Sequence, residues 1–504
     1  MKKVFSITLA LLMILSCFSF VGCGNKEQDT VLRICNCEDY IDETLLEDFE
    51  KEYPYITVEY STYGTNENLY NELVINPESY DLVVPSEYMI EKLAAEGRIQ
   101  KLDFNKLSSY QKNLSPFIKE RLNGMIMSNG NSIYDYMVGY MWGTMGWVYN
   151  TDYVDLEEVK SWEGVFSNKD LQKKITIKDA VRDSYLVGLA MVYKDQISGA
   201  SNQEITNYLN RTDKEAISKV EQKLNSLKPM LYGFEVDSGK NDIILGNIYA
   251  YVAWSGDAAY AIDVASGDAE DEDGTTLEES KRRSLSYSIP EEGSNIWFDG
   301  FVMPSASTNQ DAAYKFLEFI TRPESVYRNM DYTGYTGMVS GGEFELDVYD
   351  EDDVYQETIT TNLFEQVVLN WFDESEDPDL VDGIEVDLSY FFGNDKEYVV
   401  TVSPESYGRL IAQYPEENIV ERCAVMSYFK DDALMDINDM WEKVKGETFD
   451  TWLILLVVGL VVLLAVLILL IRHKDKIFRI NIPVKEKNRL EKSGYRIIKI
   501  EEIK

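Results

Sequence analysis

Hydrophobic and polar positions near the start of the chain switch between a strand period and a helix period. Residues 56–63, ITVEYSTY, are apolar at alternate positions, which is typical of a β-strand. Residues 41–53 instead place their leucines and Phe49 on one side of a helix that Pro54 stops. The apolar run in residues 80–85, YDLVVP, begins the same order again. Strands and helices that alternate at this spacing predict a parallel α/β layer.

The turn after YDLVVP continues as SEYMIEKLAAEG and predicts a strand followed by a helix. Ser86 precedes the helical pattern, so we expect its hydroxyl to cap the helix, which ends at Gly97. The turn then lies at the carboxyl end of a parallel strand, where open α/β sheets bind ligands. Ser86 and Tyr88 are therefore candidate ligand contacts. The alternative is an ordinary cap with a surface tyrosine.

Aromatic and carboxylate side chains also recur where later predicted strands end. Aromatic faces attract organic cations by about 0.5–2 kcal/mol per contact, and carboxylates pair with ammonium groups. We therefore expect these residues to form a binding site for an organic cation. The candidate residues are Tyr40, Ser86, Tyr88, Asp179, Asp183, Trp254, Trp297, Asp299 and Tyr335.

Charge and histidine content exclude several classes of protein. The formal net charge of −40 argues against nucleic-acid binding, which needs a basic face. The same charge favours a cationic ligand, although acidic surfaces also keep exported proteins soluble. The one histidine, His473, lies near the carboxyl terminus, so the rest of the chain lacks histidine-based metal sites and Ser-His or Cys-His catalysis. We expect neither a cofactor, nor a metal, nor an enzyme.

Both ends of the chain predict attachment to a membrane. Residues 1–22 have a lysine pair and an apolar core, as an export signal does, and FVGC resembles a lipobox in which Cys23 is lipidated. Residues 23–30 then form a tether. Residues 452–471, WLILLVVGLVVLLAVLILLI, predict a transmembrane helix. The basic tail, residues 472–504, is expected in the cytoplasm, with the body outside.

Several motifs, in order, carry a resemblance to a known family. They are VEYSTYGTNENLY, YDLVVPSEY, MWGTMGWVYN, AWSGDAAYA, IWFDGFVMPSAS and TGYTGMV. The chain resembles the extracytoplasmic spermidine/putrescine-binding proteins of ABC transporters. The resemblance implies a two-lobed α/β periplasmic-binding-protein-like fold of type II that closes on a polyamine. Its lobes would be residues 31–143 with 298–335, and residues 144–297 with 336–446.

The resemblance also implies roles and partners. Asp299 would anchor an amine, while Trp254 and Trp297 would pack along the methylene chain. The partners would be a polyamine, an ABC permease and its ATPase. Two positions depart from the family pattern: Cys37 replaces a tryptophan, and only one of the paired carboxylates aligns clearly, at Asp183.

Two other functions remain open at this stage. A membrane-anchored extracellular polyamine sensor would have the same binding site, and its short tail would need a signalling partner. A carboxylate-based hydrolase would need two carboxyl groups about 5–10 Å apart across a cleft.

Overall fold

The computed structural model describes residues 29–236, 238–269, 274–349, 354–375, 377, 380–393, 397–446 and 484–494. Residues up to Val444 belong to one compact unit, and residues from Lys445 onward belong to a second. The predicted signal peptide and Cys23 lie outside the described residues. The lobe limits given above stay a prediction.

The predicted C-terminal transmembrane helix is not supported. No helix in the described ranges is long and apolar enough to cross a membrane. A span needs about 20 apolar residues, whereas the described helices nearest the carboxyl terminus, Asp431–Lys445 and Val484–Lys492, have 15 and 9 residues and carry many charges. Residues 452–471 lie outside the described residues. The fold class is therefore corrected to the two-lobed α/β fold alone.

Fifteen strands are described in the ranges given above. They are β1 (Thr30–Cys37), β2 (Ile56–Tyr63), β3 (Leu82–Val83), β4 (Met137–Asn150), β5 (Ile175–Lys178), β6 (Leu231–Glu235), β7 (Ala250–Trp254), β8 (Leu285–Ser288), β9 (Ser294–Val302), β10 (Thr336–Gly337), β11 (Glu343–Tyr349), β12 (Tyr355–Asn362), β13 (Ile384–Asp387), β14 (Val399–Val402) and β15 (Cys423–Ala424).

Twenty α-helices are described in the same ranges. The α-helices are α1 (Thr44–Glu52), α2 (Asn66–Ile75), α3 (Glu87–Ala95), α4 (Ser108–Asn113), α5 (Pro116–Gly124), α6 (Leu156–Val159), α7 (Val181–Val192), α8 (Lys194–Ile197), α9 (Asn202–Leu209), α10 (Lys214–Leu227), α11 (Ser238–Leu245), α12 (Ser255–Ser266), α13 (Gln310–Ile320), α14 (Pro323–Thr333), α15 (Asn370–Phe372), α16 (Ser389–Phe392), α17 (Pro404–Gln413), α18 (Glu417–Val420), α19 (Asp431–Lys445) and α20 (Val484–Lys492). Helix α1 buries Leu45, Leu46 and Phe49, as its apolar spacing predicts.

The main sheet consists of two parallel groups of strands joined by two long antiparallel strands. Its order is β2-β1-β3-β9-β4-β7-β5-β6. Strand β1 runs parallel to β2 and β3, and β5 runs parallel to β6 and β7. Strands β4 and β9 pair with each other and connect the groups. All fourteen residues of β4 are buried, which explains its nearly continuous apolar sequence.

Two hydrophobic cores flank this junction. One contains residues of β1 and α1, such as Leu32 and Phe49, and the other contains residues of β5 and α7. The carboxyl ends of the parallel strands point towards the joining strands from both sides. Residues that follow those ends are therefore brought together, as the sequence predicts for a ligand crevice.

Candidate functional site

Asp299 lies in β9 at the junction of the two strand groups. Its backbone pairs with Met141 of β4 on one side and forms an isolated β-bridge with Ser86 on the other. Tyr40, in the loop after β1, donates a hydrogen bond from its hydroxyl to Oδ2 of Asp299 over 2.9 Å. The Ser86 hydroxyl lies close to this carboxylate and helps to lower its pKa. The other oxygen, Oδ1, is buried and has no hydrogen-bond partner in the described part of the chain.

Ser86 does not cap α3, so the capping prediction is wrong. The residue stands at the cap position with an extended backbone, but its side chain makes no cap hydrogen bond. Its Oγ accepts a hydrogen bond from Asn66 Nδ2 over 3.0 Å instead, and its N–H donates to Asn66 Oδ1 over 3.1 Å. The Asn66 amide thus supplies the donor that a free N–H of α3 would otherwise supply to the Ser86 hydroxyl.

Three aromatic rings contact one another in a series that begins at Tyr40, the residue that bonds the Asp299 carboxylate. The ring centroids of Tyr40 and Tyr335 are 5.2 Å apart, and those of Trp297 and Tyr335 are 5.6 Å apart, both edge to face. Trp297 is buried, and its Nε1 has no hydrogen-bond partner among the residues described. Tyr335 approaches Gly256 closely, since a Cβ there would lie 2.3 Å from its ring.

Burial sets the electrostatics of this cluster. It raises the pKa of Asp299 to about 6, while the hydrogen bonds from Ser86 and Tyr40 act in the opposite direction. Burial and the neighbouring carboxylate raise the pKa of Tyr40 well above its usual range. Asp299 is thus an ionised, poorly solvated carboxylate at neutral pH, and a cation beside it would lower its pKa.

A second cluster connects to the first through Tyr335. The Tyr335 hydroxyl donates to Asp257 Oδ1 over 3.0 Å. Asp257 Oδ2 lies 3.4 Å from Nζ of Lys178. That ammonium group lies 4.1 Å from the ring centroid of Trp254. The Trp254 side chain lies next to Asp183, which is buried, and helps to lower its pKa. The predicted residues Tyr335, Trp254 and Asp183 therefore share one network.

Tyr88 belongs to the same region. The guanidinium carbon of Arg182 lies 3.8 Å from the centroid of the Tyr88 ring. The Tyr88 hydroxyl donates a hydrogen bond to Glu67 over 3.2 Å. Burial raises the pKa of Asp183 to about 6, and the charges of Lys178 and Arg182 oppose this rise.

Asp179 is placed differently from Asp183. It follows β5, is partly buried, and its N–H donates to the Glu235 carbonyl over 2.6 Å. Asp183 is the aspartate next to Trp254. The contacts described so far connect eight of the nine predicted residues, directly or through one or two intervening side chains. The ninth is Asp179.

Four charged residues of this region are not among the sequence candidates: Lys178, Arg182, Asp257 and Glu87. Glu87 and Asp257 stand inside the motifs YDLVVPSEY and AWSGDAAYA, while Lys178 and Arg182 are sequence neighbours of Asp179 and Asp183. Glu87 is buried, and its Oε2 accepts the Phe298 N–H over 2.9 Å. Burial raises the pKa of Glu87 to about 8. The sequence signal that could have indicated them is a charged residue next to a predicted ligand contact. Local patterns, however, do not show whether such a side chain turns towards the site or towards solvent.

Comparisons with known proteins place this geometry in context. The sequence profile of a family described as bacterial extracellular solute-binding protein matches residues 44–342, more than half of the chain. The chain is 29% identical over 362 residues to a spermidine/putrescine-binding periplasmic protein of Salmonella typhimurium, which covers 67% of this chain and 92% of that protein. It is 30% identical over 324 residues to the putrescine-binding periplasmic protein PotF of Escherichia coli, with coverage of 62% and 79%.

Among solved structures, the substrate-binding protein PotD of a spermidine/putrescine ABC transporter from Streptococcus pneumoniae is similar to this chain. The TM-score is 0.55 at 24% identity, with coverage of 83% of this chain and 99% of that one. At this identity the likeness supports the fold alone, and it agrees with the two-lobed α/β fold predicted from the sequence.

Proposed function

This chain belongs to the bacterial extracellular solute-binding protein family, and we propose that it is the substrate-binding subunit of an ABC importer for polyamines. Membership of this family agrees with the predictions of an extracytoplasmic body and of a protein that is not an enzyme. The curated relatives described above are named for binding spermidine and putrescine. The ligand proposed here is accordingly a spermidine- or putrescine-like amine.

The observation that carries the proposal is the unpartnered oxygen of Asp299 near the contacting aromatic side chains of Tyr40, Tyr335 and Trp297. Its Oδ1 is buried without a hydrogen-bond partner in the ranges described. An unsatisfied buried carboxylate oxygen is costly, by about 1–3 kcal/mol or more for a charged group. A ligand ammonium group would supply the missing donor and the opposite charge together.

Binding would combine a charge-assisted hydrogen bond, cation–π contacts and packing of the ligand's methylene chain. The ligand ammonium would donate to Asp299, while Tyr40, Trp297 and Tyr335 would contact the ammonium and the methylene chain. A charge-assisted hydrogen bond contributes about 1.5–3 kcal/mol and a cation–π contact about 0.5–2 kcal/mol. A few of these reach about −8 kcal/mol, which corresponds to micromolar affinity. Trp254 would line the next part of the cleft.

Movement of the two strand groups about β4 and β9 would open and close the cleft. Solute-binding proteins of two lobes commonly close on the ligand by a hinge. Ser86, Tyr88 and Asp299 would meet the ligand from one group, and Asp183 and Trp254 from the other. The permease and its ATPase would then receive the ligand, with a lipid on Cys23 keeping the body at the membrane surface.

Isothermal titration calorimetry of the full-length chain with putrescine, spermidine and spermine tests the proposal. We expect saturable binding to at least one amine, and a loss of about a hundredfold or more in Asp299→Asn, roughly 2.7 kcal/mol. Asp311→Asn is the matched control, because Asp311 is an exposed aspartate that pairs with Lys106 on the surface. A folded protein that produces no heat with any of the three amines would refute the polyamine assignment.

A further inference from the structure

Lys178 already occupies a position suited to an ammonium group of the ligand. Its side chain is only 1% exposed, although lysine is rarely buried. Nζ lies 4.1 Å from the Trp254 ring centroid and 3.4 Å from Asp257 Oδ2, and it donates to the Val236 carbonyl over 2.7 Å. An aromatic face, a carboxylate and a carbonyl are the features that bind an ammonium ion. The ammonium group of Lys178 contacts one of each.

Arg182 does the same at the neighbouring aromatic ring. Its guanidinium carbon lies 3.8 Å from the Tyr88 ring centroid, and Nη2 donates to the Ser427 carbonyl over 2.5 Å. Both aromatic rings at this end of the site, Tyr88 and Trp254, therefore carry a cation of the protein itself.

The Asp299 end differs in this respect. The Asp299 carboxylate accepts a hydrogen bond from the neutral hydroxyl of Tyr40 and lies close to that of Ser86. One of its oxygens lacks a partner within the described residues. Among these residues, protein cations are present at the Trp254 end, and none pairs with Asp299.

The charges of the site lead to the same conclusion. Lys178 and Arg182 both act on the buried Asp183, and Lys178 also pairs with Asp257, whereas no cation of the described residues pairs with Asp299. A second ammonium group buried beside Lys178 would meet a like charge in poorly solvated surroundings, which disfavours binding.

We propose that Lys178 is a specificity residue that stands in for one ligand ammonium group, so that the cleft buries a single ammonium, at Asp299. The inference rests on the proposed function and narrows its ligand class. The fitting ligand is a short aliphatic amine, and further ammonium groups on it gain no contact with Trp254 or Asp257.

Lys178→Met tests this, because methionine keeps the unbranched side chain and removes the charge. The full-length wild type and variant are titrated by calorimetry with n-butylamine, putrescine and spermidine. Lys174→Met is the control, since Lys174 makes a similar contact, 4.7 Å from the Tyr249 ring centroid, with its Nζ bonded to the Asn247 carbonyl at the other end of β5.

In the wild type we expect the three amines to bind within about tenfold of one another. In Lys178→Met, putrescine and spermidine gain about tenfold or more, while butylamine changes by less than about threefold. Lys174→Met should keep the wild-type order.

A wild type that binds spermidine about a hundredfold tighter than butylamine would overturn the role of Lys178. So would a folded Lys178→Met that keeps the wild-type order. Either result leaves the polyamine function standing. No heat with any amine, from both folded proteins, would reject that function and this inference together. Thermal melting checks the fold, and Lys178→Gln replaces the methionine variant if the latter does not fold.

Discussion

The hydroxyl of Tyr40 donates a 2.9 Å hydrogen bond to Oδ2 of Asp299, a residue 259 positions away in sequence. This bond connects the loop after β1 to the middle of β9. It also fixes the carboxylate so that Oδ1 stays buried without a hydrogen-bond partner in the described part of the structure. The orientation of Asp299, and with it the direction from which a ligand ammonium can approach, therefore depends on Tyr40.

Tyr40→Phe should weaken amine binding by about three- to tenfold at pH 7, which corresponds to about 0.6–1.4 kcal/mol. The hydrogen bond from Tyr40 lowers the pKa of Asp299, so its loss raises that pKa and shifts the acid limb of the binding profile to higher pH. Calorimetric titrations between pH 5 and pH 8, repeated at steps of about one pH unit, would show both effects. Tyr149→Phe, a buried tyrosine of β4 outside the site, is the control. An unchanged pH profile would contradict the orienting role.

Amine affinity should fall as the pH decreases through about 6, because the protonated carboxyl of Asp299 does not pair with ammonium. Burial raises the pKa of Asp299 to about 6, and the amine stays protonated throughout this range. Binding favours the ionised carboxylate and so releases protons, and the loss approaches about tenfold per pH unit. Titrations at pH 6 in buffers of different ionisation enthalpy measure the released protons. Proton uptake on binding would contradict this assignment.

Gly256→Ala should displace Tyr335 and reduce amine affinity by about tenfold or more, roughly 1.4 kcal/mol. A Cβ at Gly256 would lie 2.3 Å from the Tyr335 ring, which is the ring that contacts both Tyr40 and Trp297. Gly233→Ala is the matched control, since a Cβ there meets no atom within 4 Å. Calorimetry gives the affinities and thermal melting the stability. Wild-type affinity in Gly256→Ala would show that the position of Tyr335 does not matter for binding.

Glu87→Gln should make the protein less sensitive to alkaline pH. Burial raises the pKa of Glu87 to about 8 in the folded state, against a usual value of 4.5. The folded state thus holds a proton that the unfolded state has lost, and the free energy of unfolding falls by about 1.4 kcal/mol per pH unit between these values. Between pH 6 and pH 9 the wild type should lose about 2–3 kcal/mol more than Glu87→Gln. Urea unfolding at both pH values measures this, and equal losses would contradict it.

The position of several site residues follows from local sequence patterns. Ser86, Tyr88 and Trp254 stand next to predicted strand ends, and strand ends of one parallel group meet at one edge of a sheet. Alternation of apolar positions in β2 and helical spacing in α1 were enough to predict this arrangement, because both depend on neighbouring residues. The apolar run at residues 452–471 shows the limit of such patterns, since the helix that it predicts across a membrane is not supported.

The sequence by itself determined which residue types gather at the cleft: aromatic rings and carboxylates, and no histidine before His473. Only the tertiary structure decided how they pair. Ser86 bonds Asn66 instead of capping its helix, and Lys178 turns inward to Asp257, a residue 79 positions later. Such choices depend on partners that are distant in sequence and on the cost of burying an unpaired charge, and neither quantity is contained in a local pattern.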